Sequence, residues 1–180
     1  MQKLDIVKKF VIIFGLVEGL TEFLPVSSTG HMILLEEWLA LPGSPAFAET
    51  FRIVVQLPAI LAVVLYFWKR LWPFSADKSF SSAVLLWMKI IVAFLPAAVI
   101  GLFLDDFLEA WFFNPLSISI ALIAGGIVLL VLEKYPAPVQ FSRAEEIGFR
   151  VALGIGLFQC LAMMPGTSRS AATIIGAMIL

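Results

Sequence analysis

The sequence predicts an all-α polytopic membrane fold in which two helical segments are broken, and three observations lead there. Of 180 residues, 61% are hydrophobic and 14% charged, against roughly half and about a quarter in an ordinary soluble domain. The apolar residues gather into runs at 10–26, 31–42, 47–67, 83–104, 116–132, 147–164 and 170–180, separated by polar punctuation. Two of the interruptions, Pro25–Gly30 and Pro165–Ser170, combine proline, glycine and hydroxyl residues between short apolar legs, where a helix does not continue comfortably.

The legs 10–26 and 31–42 each fall short of the ~20 residues a full span needs. Residues 10–42 are therefore expected to form either a re-entrant helix–loop–helix or one broken span. Val54–Trp68, 83–104 and 116–132 read as spanning helices. The grammar of the first region returns at 147–180, where an apolar leg, a polar break and a second apolar leg follow one another. Gly15-Leu16-Val17-Glu18-Gly19-Leu20 lies over Gly156-Leu157-Phe158-Gln159-Cys160-Leu161. After a one-residue gap, Pro25-Val26-Ser27-Ser28-Thr29 lies over Pro165-Gly166-Thr167-Ser168-Arg169. Paired broken helices signal a repeat fold, often of inverted topology, with its site at the repeat interface. The expected organisation is one transmembrane domain over 1–180. One repeat covers about 10–104 and a second begins at about 116–180. The chain stops at Ile179-Leu180 inside an apolar run, so a fragment lacking C-terminal helices is expected.

Several function classes are excluded at once. The net charge is −1 and the isoelectric point near 5.8, so there is no basic face for nucleic acid. Cys160 is the single cysteine, with no disulfide partner and no CxxC companion for a metal; it reads as a small core residue. The first apolar run carries Glu18 and Glu22 and lacks a small-residue cleavage pattern, which argues against a cleavable signal peptide.

Loop charges give an orientation. Lys69, Arg70 and Lys78 in 68–80, and Lys134 and Arg143 in 133–146, contrast with Asp105, Asp106 and Glu109 in 105–115. The positive-inside rule places the first two loops in the cytoplasm and the third outside. Lys3, Lys8 and Lys9 pull the other way for the N-terminus, which leaves its side open. Trp68, Trp72, Trp111 and Phe112 fit an aromatic belt.

The chemistry concentrates in the two breaks. Glu18 and Glu22, four apart, share one face of a helix inside an apolar stretch, and ionisable groups at membrane depth usually face a polar cavity. They suit a divalent cation, Mg²⁺ or Ca²⁺, held together with substrate phosphates. Alternatively they share a proton, since close carboxylates in a low dielectric seldom both ionise. Ser28 and His31, the only histidine, are three apart and could face one another as hydroxyl nucleophile and base. Ser27 and Thr29 are the hydroxyl alternatives, and His31 or a water as direct nucleophile stays open. The second break looks built for phosphate. Gly166 allows close backbone approach, Thr167, Ser168 and Ser170 offer hydroxyls, and Arg169 offers a planar cationic fork. A helix N-terminus after it would add N–H donors.

The motif EGLTEFLPVSSTGH at 18–31, together with PGTSRS at 165–170, resembles the undecaprenyl-diphosphate phosphatase family of bacterial membranes, linked to bacitracin resistance. The resemblance runs the length of the chain. It implies an integral membrane hydrolase that removes the terminal phosphate of undecaprenyl diphosphate, a polyprenyl diphosphate lipid. That regenerates the carrier for peptidoglycan and cell-wall synthesis. It also implies the inner (plasma) membrane and a site facing the periplasm. Carried over by motif, the catalytic set is Glu18, Glu22, Ser28, His31 and Arg169. Ser27, Thr29, Gly166, Thr167, Ser168 and Ser170 are then phosphate contacts. Two departures stand out. Ala171 and Pro58 occupy positions where the family usually has glycine, bearing on backbone room beside the phosphate and on helix geometry respectively. A transporter or flippase built on the same broken helices is the competing reading; a purely structural subunit would leave the polar set unexplained. Membrane lipid surrounds the chain in every reading, and a homodimer is left open.

Overall fold

A computed structural model describes residues 2–39, 43–72, 80–136 and 138–180. Lys78 and the 40–42 end of the second apolar run lie outside the described residues. The described residues are helical, with no strand among them: α1 (Gln2–Thr21), α2 (Ser28–Glu36), α3 (Pro45–Tyr66), α4 (Trp68–Leu71), α5 (Phe80–Phe112), α6 (Pro115–Lys134), α7 (Phe149–Gln159) and α8 (Arg169–Ile179), with 3₁₀ turns at Ala144–Glu146 and Cys160–Met163. The chain is a multi-pass membrane protein, since α3, α5 and α6 are each long and apolar enough to cross a bilayer.

Local chemistry explains the boundaries. The Ser44 hydroxyl accepts the Phe47 N–H at 3.3 Å ahead of Pro45, and the Asn114 side chain accepts the Ser117 N–H at 2.9 Å ahead of Pro115. Both are polar caps followed by proline in the first turn, where its missing N–H costs nothing. Pro58 and Pro96 lie inside α3 and α5; membrane helices tolerate such prolines where neighbours re-satisfy the backbone. Pro58 therefore ends nothing.

Three expected boundaries move. Helix α1 begins at Gln2 rather than near residue 10, because lysines are good helix formers. Helix α5 runs on through Asp105, Asp106 and Glu109 to Phe112, so the acidic segment is the end of a helix rather than a loop. Its 33 residues measure about 50 Å at 1.5 Å each, more than the hydrocarbon core requires. Helix α2 starts at Ser28, which draws Ser28, Thr29, Gly30 and His31 out of the expected loop and into a helical turn.

Helices α1 and α2 pack against each other as a helix–loop–helix, and so do α7 and α8; α7 also lies along α5. The α5–α7 seam is close. Gly156 is buried, and a Cβ there would overlap the carbonyl of Ala93. Gly15, its counterpart in the sequence alignment of the breaks, has nothing within 4 Å of a Cβ. Gly156→Ala is therefore expected to destabilise the protein by about 1–3 kcal/mol, the usual cost of overpacking, while Gly15→Ala leaves it unchanged. Thermal unfolding in detergent checks both.

Two further contacts fix the frame around α2. Phe14, fully buried, meets Phe51 edge-on at 6.0 Å. One Arg52 nitrogen donates to both Glu36 oxygens, at 2.8 and 2.7 Å, and the guanidinium lies 5.6 Å from the centre of the Phe113 ring. That pair joins α2 to α3, and Phe113 follows the end of α5.

Candidate active site

The two breaks meet. A cavity of about 490 Å³ is lined by Glu22, Ser27, Ser28, Thr29 and Gln56 on one side and by Gln159, Pro165–Ser170 and Thr173 on the other. The Ser170 hydroxyl donates to the Leu24 carbonyl at 3.5 Å, linking the second break to the first. Residues nearly the whole chain apart thus share one polar chamber.

The first break is shaped by Ser27. It takes a left-handed conformation (φ 61°, ψ 87°), alone among the described non-glycine residues, a strain of about 1–3 kcal/mol. Its hydroxyl accepts the Gly30 N–H at 3.3 Å and so caps α2. Next in the chain, the Ser28 hydroxyl donates a hydrogen bond to a Glu22 carboxylate oxygen. Glu22 in turn continues α1 by one turn, its N–H donating to the Glu18 carbonyl at 2.9 Å. The Glu18 side chain is 1% exposed, and neither of its oxygens has a hydrogen-bond partner among the described residues. It stands behind Glu22, outside the lining of the cavity.

His31 is placed differently from the expectation. Its Nδ1 lies 2.8 Å from the Ser27 carbonyl, and the ring lines a neighbouring apolar groove instead of the polar cavity. The Ser28–His31 pair expected from spacing is not formed. Ser28 occupies the first residue of α2, and its hydroxyl points back across the break to the acid on α1. Glu22 is thus the proton acceptor within reach of Ser28. Nδ1 donating to a carbonyl would leave Nε2 as the basic nitrogen.

The second break is shaped by Gly166 (φ 89°). A Cβ there would come 2.7 Å from the Ile118 carbonyl oxygen and 2.8 Å from its Cα, so only glycine fits against α6. The Ser168 hydroxyl caps α8 by accepting the Ala171 N–H at 3.2 Å and lies 2.9 Å from the Ser170 hydroxyl. Arg169, the first residue of α8, is exposed and lines the cavity, and its guanidinium makes no hydrogen bond or ion pair among the described residues. The N-termini of α2 and α8, each capped by a serine, therefore open on the same chamber, where unpaired N–H groups and the helix dipoles favour an anion. Ala171 lines the groove and not the cavity.

The groove of about 960 Å³ runs between α5, α6 and α8 and is almost wholly apolar. It shares Met164, Gly166, Thr167 and Ser168 with the polar cavity. A polar chamber opening onto an apolar channel fits a ligand with a charged head and a long hydrocarbon tail.

Residues 11–180 match the bacitracin resistance protein BacA family. The chain belongs to that family. It is 46% identical over 172 residues to undecaprenyl-diphosphatase 1 of Clostridioides difficile, covering 94% of this chain and 63% of that protein. To the undecaprenyl-diphosphatase of Streptococcus sanguinis it is 49% identical over 174 residues, covering 93% of this chain and 62% of the relative. To that of Enterococcus faecalis it is 47% identical over 174 residues, covering 94% and 63%. This BacA-family chain thus spans less than two thirds of the length of these relatives.

Three polar lining residues were not anticipated from sequence: Thr173 on α8, Gln56 and Gln159. Gln56 on α3 donates its amide to the Thr29 hydroxyl oxygen at 3.1 Å, and Gln159 ends α7. A glutamine within an apolar run was the available signal for the latter two.

Proposed function

We propose that this chain carries the catalytic chamber of an inner-membrane phosphatase that removes the terminal phosphate of undecaprenyl diphosphate, with the chamber facing the periplasm. The single observation that carries the reading is the convergence of Ser28–Glu22 and Arg169 on one cavity at two helix N-termini. The family relationship and the adjoining apolar groove support the substrate class. The groove takes the polyprenyl tail and the cavity takes the diphosphate. The arrangement of the breaks supports an inverted repeat, about 10–104 and 116–180, with the site between its halves.

In this mechanism Arg169 holds non-bridging phosphate oxygens with its planar fork, and Thr167, Ser168, Ser170, Thr29 and the α8 N–H groups complete the cradle. Ser27, strained and buried, sets the start of α2. Glu22 takes the proton of Ser28 as its oxygen attacks the terminal phosphorus. The bond from phosphorus to the bridging oxygen breaks, and undecaprenyl phosphate leaves. Water then cleaves the phosphoserine, releasing inorganic phosphate and restoring Ser28. His31, with Nδ1 on the Ser27 carbonyl, serves at the groove side, where its Nε2 donates or accepts a proton at the leaving phosphate.

The acidic pair also suits Mg²⁺ or Ca²⁺. Glu18 is a buried carboxylate without a partner, and no third His, Cys, Asp or Glu gathers with the pair among the described residues. Substrate oxygens would then supply the remaining ligands. Glu22, with Glu18 behind it, would hold the ion, which would offset the charge of the diphosphate.

The test is inorganic phosphate release from undecaprenyl diphosphate by the complete gene product in detergent, with and without EDTA. Release is expected, falling in EDTA and returning with Mg²⁺ or Ca²⁺. A folded protein that releases none would overturn the phosphatase reading and favour a transporter. Release indifferent to EDTA would overturn the metal.

A further inference from the structure

We propose that Gln159 is a substrate-contacting residue, its uncharged carboxamide donating to a non-bridging oxygen of the diphosphate as the complement of Arg169. The inference rests on the phosphatase reading of the cavity and adds a specificity determinant to it.

Gln159 is the last residue of α7, where the chain leaves the α-helix for the Cys160–Met163 3₁₀ turn. It lines the polar cavity beside the second break. Its amide is half-buried and makes no hydrogen bond among the described residues. An amide free on the wall of a polar cavity is available to an acceptor oxygen of a ligand there. Gln56, the other amide in the lining, is already engaged with Thr29, which leaves Gln159 as the free one of the two.

The charge inventory gives the amide a task. Arg169 is the single cationic side chain among the described residues lining the cavity, and Glu22 adds a negative charge there. A diphosphate needs donors beyond the one guanidinium, and the carboxamide joins the hydroxyls and helix N–H groups in supplying them. It does so without adding a charge. The two breaks differ in this respect at corresponding places: Gly15-Leu16-Val17-Glu18 in one stands against Gly156-Leu157-Phe158-Gln159 in the other. The acid belongs to the half that handles the proton. Its neutral isostere belongs to the half that holds the phosphate.

The test compares Gln159→Met, which keeps the volume and removes the donor, with Gln159→Glu, which puts a carboxylate against the diphosphate. Both are made in the complete gene product and checked for unchanged thermal unfolding in detergent. KM and kcat for undecaprenyl diphosphate are measured beside the dissociation constant of inorganic diphosphate by calorimetry. Loss of a hydrogen bond to a charged group predicts weakening of about 10-fold in KM and in diphosphate affinity for Gln159→Met, and about 100-fold for Gln159→Glu. A role confined to packing would lower stability and leave the affinity untouched. KM and diphosphate affinity within about twofold of the parent for both folded variants would overturn the proposal. Should the parent bind inorganic diphosphate yet release no phosphate, the phosphatase reading fails. The contact then still stands or falls on the calorimetry.

Discussion

Ser28→Ala is expected to slow phosphate release by about 10³-fold or more, and Glu22→Gln by nearly as much, with the double variant little worse than either alone. The reasoning is that the hydroxyl and the carboxylate act as one unit, joined by their hydrogen bond. A proton transfer of this kind contributes about 10²–10⁴-fold. Groups that act as a unit are strongly non-additive when removed together. His31→Ala should cost less, because the ring rests on the Ser27 carbonyl and faces the groove. Single-turnover phosphate release by the four variants separates the cases. A His31→Ala defect equal to that of Ser28→Ala, with Glu22→Gln mild, would return the base to the histidine.

Arg169→Lys is expected to reduce turnover by about 10²-fold or more despite the retained charge, since positioning and charge dispersal supply most of phosphoryl-transfer catalysis. A guanidinium presents two parallel N–H groups to two oxygens; an ammonium is a strongly hydrated point charge without that geometry. The Arg169 guanidinium has no hydrogen-bond or ion-pair partner among the described residues, so the substitution breaks no polar contact within the protein. Measuring kcat and KM, with thermal unfolding alongside, tests this. Near-normal turnover by Arg169→Lys would show that charge suffices and that the fork has no bidentate role.

The residues of the chamber were largely legible in the sequence because they are anomalies against an apolar background. Glu22, Arg169 and the hydroxyl strings, with Glu18 behind them, interrupt membrane-length runs, where polar groups are expensive. Their pairing was not legible. Spacing along a helix suggested Ser28 with His31, yet the hydroxyl turns to Glu22. The reason is that Ser27 adopts a left-handed conformation that aims the first turn of α2 back at α1. No local pattern announces such a conformation in a serine. Helix ends failed for a related reason. Charged residues at 3, 8, 9 and 105–109 mark where lipid gives way to water, but the backbone stays helical past that boundary. The Arg52–Glu36 pair was missed because its two members lie on different helices, and Gln159 because only the fold turns the end of α7 toward the cavity.

The hydroxyl–carbonyl link between Ser170 and Leu24 spans 146 positions of the chain, and this has a consequence in time. During synthesis the first break emerges and enters the bilayer well before the second, at ribosomal rates of about 5–20 residues per second. For that interval the nascent chain holds an acid–hydroxyl pair with no cation or second helix terminus opposite it. The chamber is therefore completed in one step, when the second loop docks on the first. A ribosome stalled between the two breaks would leave an inserted chain with only one wall of the chamber.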